Sequence, residues 1–310
     1  LRGFESLFPH HFLNTIKSTS DVKNFGSNYG IKDRIPYRNS IDPTVIQDFK
    51  DYCLIEKRLS TATANHYSCA VSRLLSHCRK DYDAVDVRDI RNYLLLYKNN
   101  FSYANQIKAL RLFYKSYLKS NIMDDFVFPR KEFNFNHYMP TKEDLRIFFD
   151  ALDSVDDKAL FLFFASSGLR RNEVLDLQVN DVDLAKGVCY PNHQSRTKNS
   201  YFGFINNEAR EYIGRWIEVK GPRSLRIFPR SSTRRYMPFK FARERTKLEI
   251  TPKVLRFWFA NEMARLGVPD RFIDAFQGRI PRSVLARHYT DYSVDNLKAI
   301  YDKANLKVLS

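Results

Sequence analysis

Around Pro129 and Pro140 the sequence changes character, and that break constrains the fold more than any other feature. The stretch NIMDDFVFPRKEFNFNHYMPTKED, residues 121–144, carries no helical repeat. Each of its prolines removes a backbone donor that a helix interior or a central strand needs. Before the break the apolar residues keep a helical period. In DPTVIQDFKDYCLIEK, Asp42 is placed to cap a helix and Pro43 to take its first position. Val45, Ile46, Phe49, Tyr52 and Cys53 then recur at the spacing of one buried face. A second helix is expected through LSTATANHYSCAVSRLLSHCRK, with Tyr67, Val71, Leu74 and Leu75 as its stripe. A third follows through VRDIRNYLLLYK and a fourth through YANQIKALRLFYKSYLK. Four helices without a strand signal make a compact all-α unit.

After the break the elements are mixed. Thr141 is placed to cap KEDLRIFFDALDS, and helices continue to about residue 178. NDVDLAKGVCYPNHQSRTKNSYFGFI then reads as a small antiparallel sheet, with turn signals at Asn180-Asp181, Lys186-Gly187 and Pro191-Asn192. Helices return at NEAREYIGRWIEV. The expected organisation is therefore an irregular extension over 1–40, a helical domain over 41–122, a linker over 123–140 and an α+β domain over 141–310.

Charge narrows the function. Lys and Arg number 51 against 35 Asp and Glu, a formal net charge of +16. A surplus of this size fits a polyanionic partner, nucleic acid first and an anionic membrane surface second. The longest apolar run, ALFLFFA at 159–165, is far too short to span a bilayer. Between Lys220 and Lys247 stand ten basic residues and one acidic residue, Glu244. Such an imbalance reads as a phosphate-facing stripe, including Arg230, Arg234 and Arg235. Cys53, Cys69, Cys78 and Cys189 form no C-x-x-C pair, which suits reduced thiols and neither a zinc site nor a disulfide framework. The chain opens on Leu1, which leaves the natural N-terminus open, and what is present shows no signal peptide or lipidation signal.

Four basic clusters precede one tyrosine-bearing stretch. In SSGLRRNEVLDL an apolar helix ends at Ser166-Ser167-Gly168 and a second restarts with Arg170. Arg170 and Glu173 share a face at i, i+3, either as an exposed ion pair or as a guanidinium beside a glycine that lets a phosphate approach. SRTKNSYFGF puts Arg196 and Lys198 on the expected hairpin. In TPKVLRFWFANEM, Thr251 caps, Pro252 takes the first turn, and Lys253 and Arg256 stand near the helix N-terminus. Cations there oppose the helix dipole, which an anionic ligand would reverse. FQGRIPRSVLARHYTDYS stops a helix at Gly278, puts Arg279 in the turn, and restarts at Pro281 a helix that presents His288, Tyr289 and Tyr292.

With these residues in place, the chain resembles the tyrosine recombinases (phage-type integrases), most of all those of archaeal viruses and plasmids, over residues 40–305. The resemblance implies a mainly α fold with a small antiparallel sheet, in which a helical, SAM-like core-binding domain and an α+β catalytic domain form a clamp around DNA. GLRRNE corresponds to the first arginine motif, with Arg170 and its supporting Glu173. RTKNSYFGF carries the hairpin lysine, placed at Lys198 with Arg196 as the alternative. KVLR stands for the family's H-x-x-R, with Lys253 and Arg256, and QGR for its G-H, ending in Arg279. Two histidines of the family pattern are thus replaced, as in the archaeal branch. The nucleophile falls at Tyr289, with Tyr292 one turn further on as the weaker alternative.

The implied reaction cuts and rejoins DNA through a 3′-phosphotyrosyl intermediate, without metal or other cofactor. Arg170, Arg256 and Arg279 would neutralise the phosphate, Lys198 would protonate the leaving 5′-oxygen, and Lys253 would be a second donor. Arg58 just before the second helix, Thr61, Thr63, Asn65 and His66 on it, and Lys108 and Arg111 on the fourth would contact DNA. The implied partners are double-stranded attachment sites bound by a homo-tetramer on two duplexes, with a free monomer left open and no membrane. The implied setting is the cytoplasm, at the host nucleoid, where the enzyme would integrate or excise a mobile element. A type IB topoisomerase and an inactive DNA-binding protein are the competing readings.

Overall fold

The computed structural model describes residues 43–130, 138–191, 193–195, 198–200, 202–221, 224–228, 232–279, 283–284 and 288–310. The expected cap Asp42, the extension over 1–40, Arg196, Arg230 and Pro281 lie outside the described residues. The chain falls into two compact units that divide between Phe133 and Asn134.

The first unit is helical: α1 (Pro43–Ile55), α2 (Thr61–Cys78), α3 (Val87–Leu94) and α4 (Asn100–Arg111). Ser60 caps α2 by accepting the Thr63 N–H at 3.3 Å, and Arg79 ends it in the left-handed conformation. Helix α3 stops earlier than its apolar run suggests. Its final turn tightens through Leu96 N–H to the Tyr93 carbonyl and Tyr97 N–H to the Leu94 carbonyl. The Tyr97 and Tyr93 hydroxyls then lie 2.8 Å apart, and Tyr93 donates to Gln106 Oε1 at 3.0 Å. Helix α4 also departs from a plain repeat, because it widens into a π-helical turn over Leu112–Tyr117. Phe113 meets Phe49 at 5.0 Å between centroids and Tyr117 meets it at 5.6 Å, so the wide turn lets both rings reach one core. Met123 and Phe126, at the start of the expected linker, are buried in that same core.

The second unit wraps helices around α6 (Val155–Ser167), whose residues 159–167 are buried on every side. Thr141 and Asp144 form a capping box that starts α5 (Lys142–Asp150), and α7 (Arg171–Asp176) follows α6. The small sheet pairs β1 (Val182–Asp183), β2 (Val188–Cys189) and β5 (Gly203–Phe204) antiparallel in the order β1-β2-β5. A separate antiparallel hairpin, β3 (His193–Ser195) and β4 (Lys198–Ser200), sets Lys198 opposite Ser195. Then come α8 (Asn207–Lys220), α9 (Ser232–Thr246), α10 (Pro252–Arg265), α11 (Asp270–Phe276) and α12 (Val294–Ala304). The basic stretch is helical over α9 in spite of Pro238 within it.

Helix α12 is tied to α6 by the Tyr301 hydroxyl, which donates to the Ser166 carbonyl at 2.8 Å. Phe276 of α11 packs on Phe204 at 5.6 Å and Tyr301 at 5.8 Å. These contacts hold the loops flanking α6, α10 and α11 close together, which is where the candidate site lies. Among the described residues no helix is long and apolar enough to cross a membrane.

Candidate active site

The site is built on a short backbone shelf. Helix α6 ends at Gly168 in the left-handed conformation, φ +61°, which an L side chain adopts only at a cost. Space demands glycine as well, because a Cβ there would lie 2.3 Å from the Phe259 ring. The turn leaves the Gly168 carbonyl free to accept Arg256 Nη1 at 2.6 Å. The other nitrogen of the fork, Arg256 Nη2, donates to the Gln277 carbonyl at 2.8 Å. One guanidinium thus bridges the end of α6 and the end of α11. Gly168→Ala is expected to cost about 2 kcal/mol or more in folding stability, from the backbone strain and the ring contact together. It is also expected to slow DNA cleavage by moving that carbonyl. Thermal melting and single-turnover cleavage measure the two effects, and a variant as stable as the parent would contradict the packing argument.

Arg170 is anchored from both sides. Its backbone N–H donates to Glu173 Oε2 at 2.7 Å and its Nη1 to Oε1 at 2.8 Å, so Glu173 both caps α7 and orients the guanidinium. Glu173 is only 1% exposed, so the interaction is a held pair and not the solvated helix pair that the i, i+3 spacing also allowed. Arg170 Nη1 and Nη2 each lie 3.4 Å from the Gly278 carbonyl. Arg279 comes next in the chain. Its N–H donates to the Asp274 carbonyl at 2.8 Å and its Nη1 to Asp274 Oδ1 at 2.9 Å.

Arg256 lies within the field of the other two arginines. Burial first, and then the charge of Arg170, hold the Arg256 guanidinium below its ordinary range, at about 10. Arg279 pushes the same way, while Glu173 and Asp274 oppose it. Arg256 therefore remains charged at neutral pH, in a place where that charge is costly without an anion.

The other expected residues are placed as follows. Lys253 is exposed in the first turn of α10, which Thr251 caps through the Val254 N–H at 3.3 Å. Lys198 opens β4. Tyr289 is 77% exposed and, among the described residues, makes no hydrogen bond to the three arginines. The Tyr292 ring packs edge-on against Phe272 at 6.5 Å, and its buried hydroxyl has no partner among the described residues. His288 is exposed.

On the first unit, Arg58, Thr61, Asn65 and Lys108 are exposed. Thr63 is half-buried, its hydroxyl 2.9 Å from that of Ser60. His66 is half-buried against Tyr67, and burial, then Arg73, lowers its pKa. Arg111 is engaged within the unit, bonded to the Phe126 carbonyl and stacked on the Phe128 ring at 4.8 Å. Arg73, which the sequence did not single out, is exposed on the same helix. It continues the outward row of Thr61, Asn65 and Cys69 at four-residue steps, a spacing legible in advance. In the basic stretch, Arg234 and Arg235 lie in the first turn of α9. Further along, Arg243 pairs with Glu249, and Arg245 pairs with both oxygens of Asp153 at 2.7 Å. Among the described residues no group of three His, Cys, Asp or Glu side chains is placed to hold a metal ion.

The three guanidiniums thus meet around the end of α11, in a helical unit with a small antiparallel sheet, Arg256 on neutral carbonyls, Arg170 on Glu173 and Arg279 on Asp274. Residues 137–294, just over half of the chain, match the phage integrase family. The chain belongs to that family, and it is a tyrosine recombinase, an enzyme that breaks and rejoins DNA strands site-specifically. It is 26% identical over 287 residues to tyrosine recombinase XerC of Leptospira interrogans serogroup Icterohaemorrhagiae serovar copenhageni, covering 83% of this chain and 91% of that protein. It is 23% identical over 282 residues to XerA of Pyrococcus horikoshii, covering 86% and 95%. In fold it resembles residues 75–356 of lambda integrase, solved as a dimer bound to a COC′ core site, with TM-score 0.61 and 14% identity over 77% of this chain and 95% of that one. It also resembles the Tn1549 transposon integrase in complex with circular intermediate DNA, with TM-score 0.59 and 15% identity over 82% and 98%.

Proposed function

We propose that Tyr289 attacks a DNA phosphodiester held by Arg170, Arg256 and Arg279. The phenolic oxygen bonds to phosphorus, the bond to the 5′-oxygen breaks, and the protein is left joined to the 3′-phosphate. A 5′-hydroxyl from another strand reverses these steps and releases the tyrosine, so bond energy is conserved and no nucleotide or metal is consumed. The observation that carries this reading is the charge balance of the shelf. It gathers three guanidiniums and two carboxylates, and Arg256 donates through both of its terminal nitrogens to neutral backbone carbonyls. Among these five groups one positive charge is left over, which a phosphodiester monoanion matches. As negative charge grows on the phosphoryl oxygens, forked donors fixed in advance stabilise it without reorganising. Lys253, near the N-terminus of α10, adds a point charge on the same helix as Arg256.

The partner in this reading is double-stranded DNA, bound as a tetramer on two duplexes in the cytoplasm, at the host nucleoid. The outward row of α2 would contact it on the helical unit. The finer reading, a mobile element of an archaeal virus or plasmid, rests on Lys253 and Arg279 standing where the family pattern has histidines.

Lys198 is assigned the proton that the leaving 5′-oxygen needs. A bridging 5′-sulfur leaves as a thiolate of low proton affinity and needs no acid. Lys198→Ala is therefore expected to cleave normal DNA slowly and to recover on the sulfur substrate, whereas Arg170→Ala is not rescued. Rescue of Arg196→Ala or Lys253→Ala instead would move the acid to that residue. Rescue of none of the basic variants would leave His288 or water as the donor.

A further inference from the structure

We propose that Gln277 is the positioning residue for Arg256, a role that rests on the phosphate-holding function proposed for the shelf. Gln277 closes α11 and touches Arg256 twice. Its carbonyl accepts Arg256 Nη2 at 2.8 Å, and its side-chain Nε2 donates to the Arg256 carbonyl at 2.9 Å. The first bond fixes the guanidinium, and the second fixes the backbone from which the side chain springs. A long arginine otherwise has many rotamers, and two bonds from one neighbour select one of them. The next carbonyl along, that of Gly278, faces the Arg170 guanidinium. A single turn therefore sets the positions of two cations.

The burial of Gln277 argues that its amide serves more than packing. The residue is 0% exposed, and its Oε1 has no partner among the described residues. A buried, unpaired acceptor is a cost that an apolar side chain of similar size would avoid. The pocket keeps the amide in spite of that cost, and the bond it gains goes to Arg256. An expense of this kind is expected where orientation matters more than stability. DNA affinity, spread over many phosphate contacts, depends little on the aim of one guanidinium, while transition-state stabilisation depends on it strongly.

The test uses the full chain, a nicked duplex that traps the covalent adduct, and the same duplex with a methylphosphonate at the scissile position. That substrate has a methyl group in place of one non-bridging oxygen, so it lacks the negative charge that Arg256 answers. Gln277→Leu is expected to slow single-turnover cleavage of normal DNA by about 10- to 100-fold, with the dissociation constant changed about twofold or less. Most of that deficit should vanish on the methylphosphonate, as for Arg256→Ala, and adding Gln277→Leu to Arg256→Ala should cost about threefold or less. An equal deficit on both substrates, or multiplied deficits in the double variant, would overturn the positioning role. Gln277→Glu, of the same shape, removes the donor and serves if the leucine variant is poorly folded. If neither variant folds, Gln277 is a structural residue and the proposal fails. No adduct from the wild-type chain would sink the function proposed for the shelf and this role with it. A cleaving wild type with substrate-independent deficits sinks only the role of Gln277.

Discussion

Replacing Tyr289 by phenylalanine is expected to abolish the covalent protein–DNA adduct and to leave folding and DNA affinity unchanged. The variant removes one oxygen from a ring that is 77% exposed. Exposed substitutions of this kind change stability by about 0.5 kcal/mol or less. The chemistry has no such tolerance, because a phenyl ring offers no nucleophile. Tyr292→Phe supplies the contrast. Its hydroxyl is buried without a partner among the described residues and its ring packs on Phe272. Removing that oxygen relieves an unpaired polar group, so the variant should be as stable as the parent or slightly more so, and should still form the adduct. Gel separation of adducts, melting curves and peptide mapping of the DNA-bound tyrosine decide between the two residues. An adduct mapped to Tyr292 would overturn the assignment.

Much of the fold can be read from local rules, and the departures have physical causes. Thr141 and Thr251 cap their helices as their spacing predicts, because a side-chain oxygen beside a bare helix end needs no distant partner. The small sheet was legible from the turn signal at Lys186-Gly187 and the Val, Tyr and Phe residues that flank it. The early end of α3 and the π-helical turn after α4 were not, since both go with contacts between helices, Tyr93 with Gln106 of α4 and Phe113 with Phe49 of α1. The same distinction holds in the site. Arg256 stands out in the sequence as a cation near a helix N-terminus, and Arg170 and Arg279 as cations just after a glycine at a helix end. Gln277 does not, because one glutamine beside a glycine carries no signal until α10 and α11 are brought together. Counting charge also exaggerated the basic stretch over 220–247. Glu249 and Asp153, which pair with Arg243 and Arg245, lie outside that stretch.

Arg170→Ala, Arg256→Ala and Arg279→Ala are each expected to reduce single-turnover cleavage by about 10² or more, the scale of losing one preorganised charge donor. Arg256→Lys is the sharper experiment. A lysine keeps the charge but cannot span the Gly168 and Gln277 carbonyls, which take separate nitrogens of the Arg256 fork at 2.6 and 2.8 Å. The pH dependence of this variant has a definite sign. Burial and the charge of Arg170 lower the Arg256 pKa to about 10, and a guanidinium displaced that far is still protonated at pH 7 to 9. An ammonium in the same place starts from about 10.4 and is pushed in the same direction. A cation with a lowered pKa is charged below that value and loses its proton as pH rises through it. The lysine variant should therefore fall further behind the wild type at pH 9 than at pH 7. Normalising to the wild type removes whatever pH dependence the two proteins share. A ratio that stays flat across this range would mean that the cation at position 256 is better solvated than its neighbours imply, and that charge balance is not what the shelf provides.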